Sequence, residues 1–227
     1  MALTADAKRQ HGLPLDDEAR KRQRAAVADA VPERSCAIGR PAPRFQAAAV
    51  LGDGTLGTVS LEDYCGRYVL LLFYPADFTF VCPTELTSFG DRAAELAALG
   101  CDLLVCSTDS QFVHYNWRQQ PRSQGGMGGI AVPMLADPTR AICRSYGVLC
   151  EEAGVAFHGL FLIDRAQVLR IALVNGSPVS RSVDEALRLV QALRHADDHG
   201  EVCPASWQTG TAAIVPSINE AKRFFRR

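Results

Sequence analysis

The stretch that most restricts how this chain can fold is Tyr68 to Tyr74, seven residues without a charge or a turn former, followed at once by Pro75. A short apolar run closed by proline reads as a buried strand, because Pro75 cannot donate to a sheet ladder and marks its end. Beyond it, Leu86, Phe89, Ala93 and Leu96 recur at helical spacing. Pro83 suits the first turn of that helix, where its missing N–H is no loss. Cys82 is thereby expected at a helix N-terminus, where unsatisfied N–H groups and the helix dipole favour a thiolate over a thiol. A thiolate is a nucleophile. For an isolated cysteine, burial as a small hydrophobe is the ordinary outcome. Thr79 three residues upstream and the polar Thr84-Glu85 pair downstream argue against that outcome here.

Composition narrows the class. With 227 residues, 48% of them hydrophobic, the chain can build one sizeable core with extensions, and is short for two full domains. A net charge of −1 with interspersed signs lacks the basic excess of nucleic-acid binders. No apolar run approaches the roughly 18 residues of a membrane span. Eight cysteines without a C-x-x-C pair or an apolar leader point to reduced thiols in a cytoplasmic setting, and to no structural metal. No cofactor is expected either.

Taken in order, residues 1–35 form an extension, read first as a mobile tail, with a short solvated helix around the charged run Asp16 to Arg24 as the alternative. Its acidic residues disfavour a mitochondrial presequence, and its basic cluster is a weak nuclear address. Residues 36–197 read as an α/β domain with a partly parallel sheet. A hairpin turns at Gly52-Asp53-Gly54, a strand spans Asp102 to Thr108, and a helix follows from Ser110 to Gln120. The glycine-rich segment around Met127 reads as a flexible connection. Asp137-Pro138 opens a further helix, and two strands, Ala156 to Asp164 and Val168 to Asn175, meet at a tight turn. Ser182-Val183-Asp184-Glu185 is a capping box before a helix that stops by Gly200. Cys101 and Cys106, five apart, belong on opposite faces of their strand. Residues 198–227 form an arm carrying Cys203, with Trp207, Phe224 and Phe225 too apolar to be left free.

The segment Phe73-Tyr74-Pro75-Ala76-Asp77-Phe78-Thr79-Phe80-Val81-Cys82-Pro83-Thr84-Glu85-Leu86 resembles the active-site loop of the peroxiredoxins over all fourteen positions. From about Gly39 to the C-terminus the chain resembles a typical two-cysteine peroxiredoxin, which implies a thioredoxin-like fold with a central mixed sheet flanked by helices. Cys82 matches the peroxidatic cysteine, and Cys203, in Gly-Glu-Val-Cys-Pro, the resolving one. Pro75 and Thr79 match the Pro-x-x-x-Thr-x-x-Cys motif, Arg181 an arginine near the site, and Glu85 a residue that orients it. The resemblance implies reduction of hydrogen peroxide and organic hydroperoxides, and an antiparallel homodimer with an intersubunit Cys82–Cys203 disulfide. It further implies recycling by thioredoxin or a similar protein, and often a decamer.

Three departures stand out. His158-Gly159-Leu160-Phe161 replaces the family's Arg-Gly-Leu-Phe, and an imidazole with a pKa of about 6.5 is mostly neutral at physiological pH. Loss of such a donor costs roughly 10²- to 10³-fold in rate at oxyanion sites, so a slow peroxidase is expected, faster in mild acid if His158 acts as an imidazolium. Packing alone is the competing reading of His158. Phe224-Phe225 replaces a Tyr-Phe pair, which loosens one anchor of the arm and predicts fast disulfide closure. Asn175-Gly176-Ser177-Pro178 replaces Asn-Asp-Leu-Pro beside Arg181. The alternative to a working peroxidase is a low-turnover chaperone-like scaffold or redox sensor on the same fold.

Overall fold

The computed structural model describes residues 36–176 and 178–226. The expected tail, its basic cluster and Ser177 lie outside the described residues. Strands β1 (Gln46–Val50), β2 (Leu56–Ser60), β3 (Tyr68–Phe73), β4 (Cys101–Ser107), β5 (Met134–Ala136), β8 (His158–Ile163) and β9 (Leu169–Asn175) form one sheet in the order β2-β1-β5-β4-β3-β8-β9. β6 (Leu149–Cys150) and β7 (Val155–Ala156) make a separate small ribbon. The sheet is mixed. β3 runs parallel to β4 and antiparallel to β8, with Leu70 opposite Leu103 on one side and Leu162 on the other.

All six residues of β3 are buried, which follows from its place inside a sheet covered on both faces. Alternate side chains go to alternate layers. Leu70 and Leu72 join Leu86, Phe89, Trp117, Leu160, Leu187 and Val190 on one face. Val69, Leu71 and Phe73 join Tyr146, Phe161 and Ile163 on the other. Phe73 and Phe161 meet edge-on at 5.6 Å between ring centroids. Cys101 and Cys106 fall in opposite layers, as their spacing requires.

The helices are α1 (Cys82–Asp91), α2 (Ala93–Ala98), α3 (Gln111–Gln119), α4 (Ala141–Ser145), α5 (Val183–His199) and α6 (Ile218–Phe225). The single helix read through Leu96 is broken at Arg92, which serves as C-cap of α1 and N-cap of α2. Ser182 caps α5 by accepting from the Glu185 N–H, but Glu185 gives its carboxylate to Arg188 and does not reach back to close the box. Gly200 ends α5 in the left-handed conformation at φ 67°.

The glycine-rich segment is ordered rather than flexible. The N–H groups of Met127, Gly128 and Gly129 bond to the carbonyls of Trp117, Gln120 and Arg118, so the segment caps the C-terminus of α3. Met127 is fully buried, and a Cβ on Gly126 would lie 2.2 Å from the Gln120 carbonyl oxygen. Among the described residues, no helix is long and apolar enough to cross a membrane.

Candidate active site

The site forms where three parts of the fold converge: the β3–α1 loop, the start of β8, and the residues entering α5. Cys82 is the first residue of α1, with Pro83 behind it. Tyr74 still bonds to the Cys106 carbonyl, and Pro75 then opens the turn. Phe78 adopts φ 55°, a conformation that costs a non-glycine residue energy. It reverses the loop and leaves Phe78 57% and Phe80 96% exposed.

Cys82 itself is 2% exposed. Burial pushes its thiol up, the reverse of the shift that helix position alone predicts. Against burial act hydrogen bonds from the Thr79 hydroxyl and from the Ala76 backbone, and the positive charge of Arg181, while Glu85 adds to the upward push. The Thr79 hydroxyl lies 3.0 Å from the Ala76 carbonyl and within reach of the sulfur, and a hydroxyl rotates to suit.

Glu85, one turn along α1, is the hub. Its Oε1 accepts from the Arg181 backbone N–H at 2.6 Å and from Arg181 Nε at 2.8 Å, and its Oε2 accepts from Arg181 Nη2 and faces His158 Nδ1 at 3.2 Å. Arg181 Nη1 donates to the Gly159 carbonyl. Burial works to raise the Glu85 carboxyl, but Arg181 and His158 overrule it and hold it at about 2. The guanidinium is thus fixed between helix and strand, beside an open cleft of about 370 Å³ lined by Thr84, Glu85, Ser88, Arg92, Arg181 and Asp184.

Of the residues singled out from the sequence, Cys82, Thr79, Glu85, Arg181 and His158 share this neighbourhood, with Pro75 at the root of the loop. His158 is 1% exposed, and its Nδ1 is turned onto Glu85. Cys203 lies elsewhere. It is half-buried, its Sγ donates to the Ala192 carbonyl on α5 at 3.4 Å, and the charges beside it are Glu201 and Arg188.

One group escaped the sequence reading. Asp77, inside the loop, accepts from Tyr74 Oη at 2.7 Å and meets His114 Nδ1 at 2.8 Å, while His114 Nε2 donates to the Leu135 carbonyl. All three side chains are buried, and burial raises the Asp77 carboxyl. The signal was a lone acid within an aromatic loop, and a histidine one turn before Trp117 on the apolar side of its helix.

A mixed α/β sheet that sets a cysteine at a helix start, beside a clamped arginine, is the architecture of a thiol-based redox protein. Residues 38–172 match the AhpC/TSA family, and residues 192–223 match the C-terminal domain of 1-Cys peroxiredoxin. The chain is 54% identical to peroxiredoxin-2 of Bos taurus over 190 residues, 84% of this chain and 95% of that protein. It is 53% identical to peroxiredoxin prdx-2 of Caenorhabditis elegans, covering 84% and 94%. The reduced 2-Cys peroxiredoxin of Plasmodium vivax superposes with a TM-score of 0.82 at 38% identity, over 86% of this chain and all of that one. The chain therefore belongs to the AhpC/TSA family, as a typical two-cysteine peroxiredoxin with the thioredoxin-like fold. Its activity is that of a thiol-dependent peroxidase, in the class of thioredoxin-dependent peroxiredoxins.

Proposed function

We propose that Cys82 is the peroxidatic residue and Cys203 the resolving one. As a thiolate, Cys82 attacks the near oxygen of hydrogen peroxide or an organic hydroperoxide; the O–O bond breaks, and the departing oxygen takes a proton to leave as water or alcohol. The sulfur is left as a sulfenic acid. The thiolate of Cys203 from a partner subunit then displaces hydroxide, which leaves as water, and an intersubunit disulfide forms. A thioredoxin-like dithiol restores both thiols by exchange.

The observation that carries this reading is the environment of Cys82: a helix start, a hydroxyl and a backbone N–H on the sulfur, and a guanidinium held in place by Glu85. Those donors serve the anionic sulfur and the departing oxygen alike. Burial opposes ionisation, so the approach of peroxide to the thiolate requires the loop carrying Phe78 and Phe80 to admit it.

Two surfaces support assembly. β9 is an edge strand with Leu173 39% and Val174 50% exposed, which suits antiparallel pairing with a second copy. Phe78, Phe80, Phe112 and Tyr115 are exposed around the loop and α3, an apolar patch suited to joining dimers into a decamer. A cytoplasmic setting suits the thiols in their reduced form.

The test treats the protein with one equivalent of hydrogen peroxide and maps the peptides from a non-reducing gel. The expected product is a covalent dimer joined through Cys82 and Cys203 that thioredoxin resolves. Cys203→Ser should leave a sulfenic acid that dimedone traps at Cys82. A monomer with Cys82 still reduced would favour the scaffold alternative.

A further inference from the structure

Resting on the reading of Cys203 as the resolving thiol, we propose that His195 is a positioning residue for it: with Glu201 and Trp207 it clamps the Cys203 segment to α5, and the clamp tightens when the imidazole is protonated. Arg188, Ala192, His195 and His199 follow one another at spacings of four, three and four, and so form a single stripe along α5. The segment beyond Gly200 is laid on that stripe. His195 Nε2 meets Glu201 Oε2 at 2.8 Å, Cys203 Sγ donates to the Ala192 carbonyl, and the Trp207 ring packs on His195 with centroids 4.8 Å apart. Arg188 Nη1 donates to the Trp207 carbonyl at 3.1 Å. A bridge between Val202 and Ile214 closes the segment into a loop.

Cys203 lies between two anchors, Glu201 before it and Trp207 after it, and both rest on His195. Trp207 is 3% exposed, so this is a seated side chain. For Cys203 to reach a sulfenic acid on another subunit, its sulfur must leave Ala192, and both anchors resist that movement.

Protonation bears on the clamp directly. Histidine changes charge between about pH 5 and 8, and an imidazolium facing a carboxylate binds it more strongly than a neutral ring does. The charged groups around His195 are Glu201 and Cys203 from the docked segment, and Arg188, Arg194, Asp198 and His199 from its own helix. His199 stacks on it at 4.3 Å, and Asp198 is held by Arg194 and by Arg165 from the β8–β9 turn. Glu201 is thus the carboxylate that His195 meets at hydrogen-bond distance. Burial and Glu201 push the Cys203 thiol up and Arg188 pulls it down.

The experiment uses the full chain in wild-type, His195→Phe, His195→Gln and Glu201→Gln forms. After one equivalent of peroxide, rapid quenching gives the rate of Cys82–Cys203 closure at pH 6 and pH 8. In parallel, iodoacetamide labelling of Cys203 in the reduced protein, read by peptide mapping, reports release without turnover. Cys203 ionises in all four proteins, so the readout is the ratio of variant to wild type. For His195→Phe and Glu201→Gln that ratio should be about threefold larger at pH 6 than at pH 8, the scale of a partly exposed ion pair. His195→Gln, which keeps a donor that does not titrate, should behave as His195→Phe in pH trend while closing more slowly at pH 8. Loss of a positive charge beside Cys203 would instead slow His195→Phe in acid, so the sign separates the clamp from a simple field effect. Ratios that do not change with pH in both closure and labelling overturn the clamp. Absence of any wild-type Cys82–Cys203 disulfide overturns the resolving assignment beneath it, and the labelling ratios still judge the clamp. Should His195→Phe not fold, Glu201→Gln at a half-exposed position decides.

Discussion

At the scale of single residues, Glu85 carries more of the site than any other side chain, because it compensates one buried guanidinium and orients one imidazole. Its folded pKa is about 2 against an ordinary 4.5, so it stabilises the fold above pH 4.5, by on the order of 3 kcal/mol, and that contribution is lost as pH falls from 4.5 toward 2. Glu85→Gln leaves Arg181 buried without its counter-charge. Denaturant unfolding should show a loss of roughly 3–5 kcal/mol at pH 7 that shrinks as the wild type is acidified through this window. His158→Arg probes the neighbouring position. An arginine there would add a permanent cation beside Glu85, and we expect the rate constant for Cys82 oxidation by hydrogen peroxide to rise tenfold or more in stopped flow, the scale set by single oxyanion donors. An unchanged rate constant would show that the imidazole already does the arginine's work.

At the scale of elements, the β3–α1 loop is anchored from below by Tyr74, Asp77 and His114. Tyr74→Phe removes one hydrogen bond to a buried carboxyl and should cost about 1–3 kcal/mol in thermal or urea unfolding, with peroxide reactivity falling if the loop loosens. Gly126→Ala drives a methyl into the Gln120 carbonyl and should destabilise by about 1–3 kcal/mol, where a flexible connection would tolerate it. These elements also show what was legible beforehand. β3, α1 and the cap of α5 announce themselves through an apolar run, Pro83 and Ser182, all local signals. The break at Arg92, whose side chain reaches Asp184 on α5, and the packing of the Met127 segment on α3 involve residues distant in sequence, which periodicity does not encode. Cys82, with Thr79 and Glu85 beside it, was legible from the helix start at Pro83 as well as from the family motif, whereas Arg181 was found through the family resemblance alone. Asp77 and His114 were missed because residues 37 apart in sequence meet only once β4 and α3 have brought them together.

At the scale of the whole molecule, β9 leaves one edge of the seven-stranded sheet open for a second copy. Val174→Lys places a charge on that edge and should shift sedimentation from dimer to monomer at concentrations where the wild type is dimeric. On the proposed closure by Cys203 of a second copy, the same variant should also slow disulfide formation while Cys82 still oxidises. The sheet has another use as well. Cys101, Cys106 and Cys143 are packed into its two layers, and burial pushes the Cys101 thiol up to about 12 and that of Cys106 well above its usual range. Burial keeps all three sulfurs away from oxidants in solvent, so chemical wear over many turnovers should accumulate at the reactive centre and at the rim rather than in the sheet.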